Sequence, residues 1–177
     1  MLTIAAKPTK YRGIQYASRL EATWAVFWGT LEPLSKAINR VEYIGDCPSL
    51  FDPLGIEELR GYSPDFRIIC NLIDGSEIDI LQEVKPILPN EEYMAKLRAA
   101  QGGLSKALYH VPLLLTFGSF REGDIEVLTY PYGKLTTNFV DWLVCYGAGP
   151  DKLKTALDTA KNFRWDLYRD TGCAEHD

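Results

Sequence analysis

The sequence predicts a single α/β domain over residues 1–177, with a central mixed β-sheet flanked by helices and further helices at the carboxyl end. A chain of 177 residues is long enough for one substantial core and too short for two ordinary domains. Its 46% apolar and 24% charged residues are typical of a folded globular protein and exclude a disordered one. The order of helical and strand-like segments places the core at about residues 11–130 and a helical extension at about residues 137–170.

The first helix is expected to begin near Ser18, because serine is a favourable N-cap and apolar residues follow it at helical spacing. This apolar row is expected to pack on the core and consists of Leu20, Trp24, Phe27 and Leu31. Residues 41–44 then predict a first strand. Residues 47–61 are rich in proline, glycine and acids, so they predict a loop.

The next two strands, at residues 62–70 and 77–85, are expected to form an antiparallel hairpin. The dipeptide Asp74-Gly75 between them is a strong hairpin turn signal. Pro86 follows the second of these strands and has no backbone N–H to donate. Regular pairing is therefore expected to stop at Pro86.

The second half of the chain predicts one more helix beside the sheet, further strands and the carboxy-terminal helices. Residues 90–101 predict a helix capped by Asn90, and Gly102-Gly103 are expected to interrupt it. Later segments predict a buried strand, a neighbouring strand and two helices, at residues 112–118, 125–130, 137–145 and 151–168.

Two acids and a lysine are expected to meet at the end of the central hairpin. Side chains alternate along a strand, so Glu83 and Lys85 point to one side while Val84 points into the core. Asp65, on the strand beside them, is expected to bring a second carboxylate to the same point. Hard oxygen ligands of this kind suit Mg²⁺, and a nearby lysine can hold a polarised water or offset charge on a phosphate.

These residues resemble the motif of the PD-(D/E)XK nuclease superfamily, with Pro64-Asp65 as its first half and Glu83-Val84-Lys85 as its second. The run Ser18-Arg19-Leu20-Glu21-Ala22 and the aromatic-rich stretch after it are similar to the opening helix of small phage- and prophage-type endonucleases. The resemblance covers about residues 11–118. It implies a restriction-endonuclease-like core with the element order αβββαβ.

The resemblance also implies the role of each site residue. Asp65 and Glu83 would bind Mg²⁺, with Mn²⁺ as a substitute, and the backbone carbonyl of Val84 would be a third ligand. Glu21 would complete or orient this ligand set, although an acid in the first turn of a helix is also favoured by the helix dipole. Lys85 would position the attacking water and stabilise the phosphate. The activity expected is that of a Mg²⁺-dependent endonuclease or exonuclease, with DNA preferred to RNA.

The charge of the chain bears on the expected nucleic-acid partner. A net charge of −5 is unusual for a protein that contacts phosphates, but a bound metal would offset the acids of the site. Basic residues are concentrated at the amino end and after the motif strand, where they either track a nucleic-acid backbone or are ordinary solvated side chains. The residues predicted to contact nucleic acid are Arg12, Arg19, Lys96 and Gln101.

The cysteines, the histidines and the lengths of the apolar runs argue against a zinc site, a disulfide framework and a membrane span. The four cysteines form no C-x-x-C pair and the two histidines complete no zinc spacing, so reduced structural thiols are expected. No apolar run is long enough to cross a bilayer, and the first residues lack the order of a signal peptide. These features predict a cytoplasmic protein with no membrane partner. A homodimer is possible because three of the four tryptophans, Trp24, Trp28 and Trp142, could lie on an interface, although core burial explains them equally well.

Two other functions stay open at this point. One is a catalytically silent nuclease-fold module that only binds nucleic acid or a partner, although the complete acid-acid-lysine set argues against it. The other is a phage-type inhibitor that binds a host protein, for which the acidic balance would mimic nucleic acid. Metal-dependent cleavage distinguishes the nuclease from both.

Overall fold

A six-stranded mixed sheet lies at the centre of the protein, with helices packed on both faces. The computed structural model describes residues 6–45, 47, 51–71, 74–107, 111–120, 125–130, 137–138 and 149–168. The strands of these residues are β1 (Thr9–Tyr11), β2 (Ile14–Tyr16), β3 (Ile38–Tyr43), β4 (Phe66–Asn71), β5 (Glu77–Lys85), β6 (Leu113–Phe117), β7 (Glu126–Tyr130) and β8 (Thr137–Asn138). The α-helices are α1 (Arg19–Leu31), α2 (Glu91–Ala107) and α3 (Pro150–Asn162).

The sheet has the order β3-β4-β5-β6-β7-β8. Its neighbours pair antiparallel except for β5 and β6, which are parallel and are joined through α2. Helices α1 and α3 pack on one face of the sheet and α2 on the other. The prediction of a single α/β domain with a central mixed sheet is therefore confirmed. Within the described residues, none of the helices combines the length and the apolar character needed to span a bilayer.

Helix α1 begins where the sequence predicts. Ser18 is its N-cap, and the Ser18 hydroxyl accepts a hydrogen bond from the backbone N–H of Glu21. The aromatic side chains of Trp24, Phe27 and Trp28 are at most 2% exposed. Their burial against the sheet fixes the helix across the strands that carry the acids.

The predicted hairpin of β4 and β5 is present, with Phe66 opposite Gln82 and Asn71 opposite Glu77. Strand β5 ends at Lys85, immediately before Pro86, as expected. Strand β4 begins at Phe66 and not at residue 62, because the segment with Pro64 before it is irregular. The chain therefore enters β4 directly from the residue that precedes it, Asp65.

A small hairpin before α1 is not predicted by the sequence. Strands β1 and β2 are joined by Arg12 and Gly13, which both have positive φ, at 50° and 80°. Each strand has only three residues, too few for a period-2 pattern to be recognised. The hairpin nevertheless buries Tyr11 and Tyr16 in the core on the α1 side of the sheet.

Helix α2 is continuous, so the prediction that Gly102-Gly103 interrupt it is wrong. Its predicted cap is present, because Asn90 Oδ1 accepts a hydrogen bond from the backbone N–H of Tyr93 at 2.9 Å. A Cβ on Gly103 would lie 3.0 Å from Leu59 Cγ and 3.1 Å from Ile56 Cγ2. Gly103 is therefore explained by close packing against the loop before β4 and not by a break in the helix.

Two alanine substitutions test this explanation. Gly102→Ala, whose Cβ would meet nothing within 4 Å, is expected to raise the free energy of unfolding by up to about 1 kcal/mol through helix propensity. Gly103→Ala gains the same propensity but crowds Leu59, so it is expected to lower the free energy of unfolding by about 1 kcal/mol. Urea unfolding of the two variants measures the difference. Equal stabilisation by both would contradict the packing role of Gly103.

The carboxy-terminal segments differ from the prediction. Thr137 and Asn138 form strand β8 and do not start a helix, and the rest of the predicted helix 137–145 lies outside the described residues. Helix α3 ends at Asn162, six residues earlier than predicted. The residues after it leave the helix to pack around Tyr11, whose ring centroid lies 5.3–6.0 Å from the rings of Phe163, Trp165 and Tyr168.

Candidate active site

Asp65 lies at the open end of the β4–β5 hairpin, where backbone hydrogen bonds hold its carboxylate in a fixed position. The backbone N–H of Asp65 donates to the carbonyl of Gln82 at 2.9 Å. The backbone N–H of Val84 donates to Asp65 Oδ2 at 2.6 Å. In the described part of the chain, no hydrogen bond is donated to the other oxygen, Oδ1. The local backbone therefore aims the Asp65 carboxylate at the end of β5 and leaves one oxygen for a ligand.

Glu83 and Lys85 lie beside each other on one face of β5, and Val84 is buried on the opposite face, as strand alternation predicts. The Lys85 ammonium nitrogen is 2.5 Å from Glu83 Oε1. The same carboxylate accepts hydrogen bonds from the hydroxyls of Tyr93, at 2.5 Å, and Tyr62, at 3.4 Å. The Lys85 ammonium also lies 5.2 Å from the centre of the Tyr93 ring. Glu83 is only 3% exposed, and three neighbouring side chains hold its carboxylate in place.

Glu21 is held at the start of α1. Its carboxylate accepts hydrogen bonds from the Ser18 hydroxyl at 2.7 Å and from the backbone N–H of Ala17 at 3.2 Å. This resembles a capping box and supports the structural interpretation of Glu21. The Tyr43 hydroxyl on β3 also donates to Glu21 Oε2, at 2.7 Å. The Glu21 charge acts on the Asp65 carboxyl as well, so one residue has both a structural and an electrostatic role.

The acids of the site repel one another. Burial raises the pKa of the Asp65 carboxyl well above its usual range, and the negative charges of Glu83 and Glu21 add to this rise. The positive charge of Lys85 and the Val84 N–H only partly offset it. The site therefore has an excess of carboxylate over positive charge.

Lys85 stays charged in this surrounding. Burial lowers the pKa of its ammonium, but the charges of Glu83 and Asp65 outweigh burial and raise the pKa above its usual value. Burial and the charge of Glu83 also raise the pKa of the Tyr93 hydroxyl to about 12. The pKa of Tyr62 is raised well above its usual value for the same two reasons. At neutral pH the lysine is a cation and both tyrosines are neutral hydrogen-bond donors.

The donor chemistry of this strand end fits a hard divalent cation. Carboxylate oxygens of Asp65 and Glu83 are the ligands that Mg²⁺ prefers, and added positive charge would relieve their repulsion. Among the described residues, no three histidine, cysteine, aspartate or glutamate side chains are already gathered around one point. The residues present thus form a two-carboxylate site with Lys85 in contact with Glu83, which is consistent with the small number of protein ligands that Mg²⁺ takes.

The four residues predicted to contact nucleic acid lie in different surroundings. Arg19 is exposed at the first position of α1, two residues before Glu21. Arg12 lies on the β1–β2 turn with its guanidinium 5.4 Å from the centre of the Tyr11 ring. Lys96 is 70% exposed on α2 and lies 3.3 Å from the carboxylate of Glu92.

Gln101, the fourth of them, is 3% exposed. Its amide accepts from the backbone N–H of Leu113 at 2.6 Å and donates to the carbonyl of Val111 at 3.0 Å. This side chain links α2 to the start of β6, so the structure places it in the interior and not over the acids. Because Gly102-Gly103 do not interrupt α2, the expected turn of Gln101 towards the strand end is absent.

Sequence reasoning missed the polar residues that support the acids. Tyr43, Tyr62 and Tyr93 each donate a hydrogen bond to a site carboxylate, although they come from β3, the loop before β4 and the first turn of α2. Gln82 on β5 is also missed: it is fully buried and accepts a hydrogen bond from the Trp28 indole N–H at 2.8 Å. Tyr62 and Gln82 lie close in sequence to predicted site residues, three before Asp65 and one before Glu83, whereas Tyr43 and Tyr93 are distant from them.

Comparisons of the chain with models of protein families, with curated proteins and with solved structures found no match. The residues at the start of β4 and the end of β5 are therefore the basis for assigning a function. The structure brings Asp65, Glu83 and Lys85 together there, with the Glu21 charge acting on the same point.

Proposed function

We propose that this protein is a metal-dependent nuclease of the PD-(D/E)XK type, which hydrolyses phosphodiester bonds of nucleic acid, with DNA preferred to RNA. The observation that carries the proposal is the convergence of Asp65, Glu83 and Lys85 at one strand end. The element order α1-β3-β4-β5-α2-β6 supports a restriction-endonuclease-like αβββαβ core.

Asp65 and Glu83 would hold Mg²⁺ or Mn²⁺, with the backbone carbonyl of Val84 as a further ligand. A cation bound there supplies Lewis-acid chemistry and makes hydroxide available near neutral pH. The Val84 N–H orients the Asp65 carboxylate through its 2.6 Å hydrogen bond. Tyr62 and Tyr93 orient the Glu83 carboxylate from two different elements. Both ligands are thus positioned before a substrate arrives.

Lys85 supplies positive charge to the reacting phosphate. Its pKa is raised by Glu83 and Asp65 in spite of the opposing effect of burial, so at neutral pH it cannot accept a proton. A permanently protonated ammonium stabilises negative charge that develops on phosphate oxygens and can donate a hydrogen bond to the attacking water. Lys85 therefore acts as an electrostatic catalyst and not as a general base.

Glu21 positions the start of α1 relative to the metal ligands. Its bonds to Ser18 and Tyr43 fix the helix to β3, and its charge raises the pKa of Asp65 further. An added negative charge beside Asp65 favours binding of a divalent cation over binding of a proton. Glu21 thus contributes to the site without needing to touch the metal.

The test incubates the purified protein with labelled single-stranded, duplex and branched DNA and RNA in Mg²⁺, Mn²⁺ or EDTA. The variant Glu83→Ala, Lys85→Ala is compared with the control Glu77→Ala, Lys36→Ala, which removes an exposed acid on the same strand and an exposed lysine elsewhere. Metal-dependent cleavage that is lost only in the first variant is the expected result. No cleavage of any substrate by folded, metal-loaded protein would overturn the proposal and favour a silent binding module or an inhibitor.

A further inference from the structure

A cleft of about 390 Å³ lies beside the strand end that carries the acids. It is bounded by the start of α1, the end of α3 and the residues that follow β5 and β6. Pro86, which follows Lys85 directly, lines it, and so does Arg19, two residues before Glu21. Its volume is within the range of pockets that take a small organic group. The cleft therefore adjoins the proposed reaction centre without including its acids.

The charge of this cleft is opposite to that of the whole protein. Arg19 and Lys161 contribute two cations to its lining, and no acid is among the described residues that line it. Both side chains are exposed, and neither forms an ion pair within the described part of the chain. With a net charge of −5 on the chain, an acid-free cationic cleft beside the site favours an anionic occupant.

The walls of the cleft are aromatic. Phe120, Phe163 and Trp165 line it, and the Phe163 and Trp165 ring centroids are 4.6 Å apart. Trp165 is half-buried, because it packs on Tyr11 yet keeps part of its ring exposed. Aromatic rings beside unpaired cations are the combination with which proteins hold unpaired bases and their phosphates.

We propose that this cleft binds one unpaired nucleotide next to the scissile phosphate, with its base on the Trp165 and Phe163 rings and its phosphate between Arg19 and Lys161. A paired base cannot enter the cleft without leaving its stack. The substrate class is therefore nucleic acid that is single-stranded at this point, such as a free strand, an end or a flap. This inference rests on the proposed nuclease function, whose reaction centre it adjoins.

The test measures binding in EDTA, where no cleavage occurs, by fluorescence anisotropy of a short labelled oligothymidylate. A relaxed, covalently closed plasmid serves as a competitor that has no unpaired strand. Trp165→Ala is expected to weaken oligothymidylate binding at least about tenfold, the effect of losing one base stack. Arg19→Ala and Lys161→Ala are each expected to weaken it about threefold to tenfold and to reduce its salt dependence by about one phosphate contact. Plasmid affinity should stay unchanged.

Matched variants keep a folding defect from imitating this result. Lys152→Ala removes an exposed lysine from α3 that does not line the cleft, so it should leave binding unchanged. Trp165→Phe retains an aromatic face and should recover most of the affinity that Trp165→Ala loses. Equal weakening of oligothymidylate and plasmid, or no weakening by any of the cleft variants, would overturn the inference.

The two proposals fail in distinguishable ways. Single-strand binding that depends on Trp165 and Arg19, in a protein that cleaves nothing in any metal, would overturn the nuclease and leave the cleft assignment standing. Metal-dependent cleavage of single strands with an unchanged KM in every cleft variant would overturn the cleft assignment and leave the nuclease standing. Absence of binding to both nucleic acids would overturn the cleft assignment directly.

Discussion

Lys85→Ala is expected to lower the rate of metal-dependent cleavage by about 10²–10³-fold. The Lys85 ammonium is held 2.5 Å from Glu83 and stays protonated at neutral pH, so its removal deletes a fixed positive charge where the phosphate reacts. The measurement is the steady-state cleavage rate at saturating Mn²⁺ over a range of substrate concentrations, which gives kcat and KM. Because the effect is electrostatic, kcat should fall while KM changes little.

Measured Mn²⁺ affinities distinguish this electrostatic role of Lys85 from a loss of activity caused by a lost metal ion. Lys85 occupies one oxygen of Glu83, so Lys85→Ala is expected to bind Mn²⁺ at least as tightly as the wild type. Glu83→Gln removes the negative charge of a ligand and should bind Mn²⁺ more weakly. Lys36→Ala, an exposed lysine before β3, is the control and should keep wild-type rates. Cleavage by Lys85→Ala at more than about a tenth of the wild-type rate would contradict the assigned role of this lysine.

Asp65→Asn is expected to abolish cleavage and, at the same time, to stabilise the metal-free fold by about 0.5–2 kcal/mol at neutral pH. The ionised Asp65 carboxylate is opposed by burial and by the charges of Glu83 and Glu21. Asparagine removes this charge but keeps an oxygen that can accept the Val84 N–H. Loss of function together with a gain of stability is the pattern of a residue that is present for its chemistry.

The stabilisation by Asp65→Asn is expected to depend on pH, and the raised pKa of Asp65 gives the sign of this dependence. The unfolded chain releases the Asp65 proton near the ordinary aspartate pKa of ~3.9. The folded chain keeps this proton to higher pH, because burial raises the pKa of Asp65. Between the two pKa values the folded state binds more protons, so this group lowers the free energy of unfolding as the pH rises. The advantage of Asp65→Asn over the wild type should therefore be small at about pH 4 and grow towards neutral pH.

Urea unfolding of both proteins in EDTA across this pH range is the measurement. Asp79→Asn, on the neighbouring strand β5, is the control, since Asp79 is 2.5 Å from the guanidinium of Arg67 and its loss should not stabilise the fold. Added Mg²⁺ should raise the Tm of the wild type more than that of Asp65→Asn, because only the wild type keeps both carboxylates. A pH-independent difference between wild type and Asp65→Asn would contradict the raised pKa of Asp65.

The sequence alone determined the features that depend on neighbours along the chain. Ser18 was identified as the cap of α1, Asp74-Gly75 as the turn between β4 and β5, and Pro86 as the end of β5. Strand alternation placed Glu83 and Lys85 on one face with Val84 on the other. These features are set by short-range backbone preferences and by the period of the side chains, both of which can be recognised in a single sequence.

The tertiary structure decided what depends on residues far apart in the chain. Gly103 lies inside α2 where Leu59 leaves little room for a Cβ, and Gln101 is buried where its amide bonds the backbone of Val111 and Leu113. Tyr62 and Tyr93 reach Glu83 from separate elements, and the raised pKa of Asp65 exists only once the sheet buries it. Contacts of this kind arise from packing between elements and from the loss of solvent around charges, and neither leaves a periodic trace in the sequence.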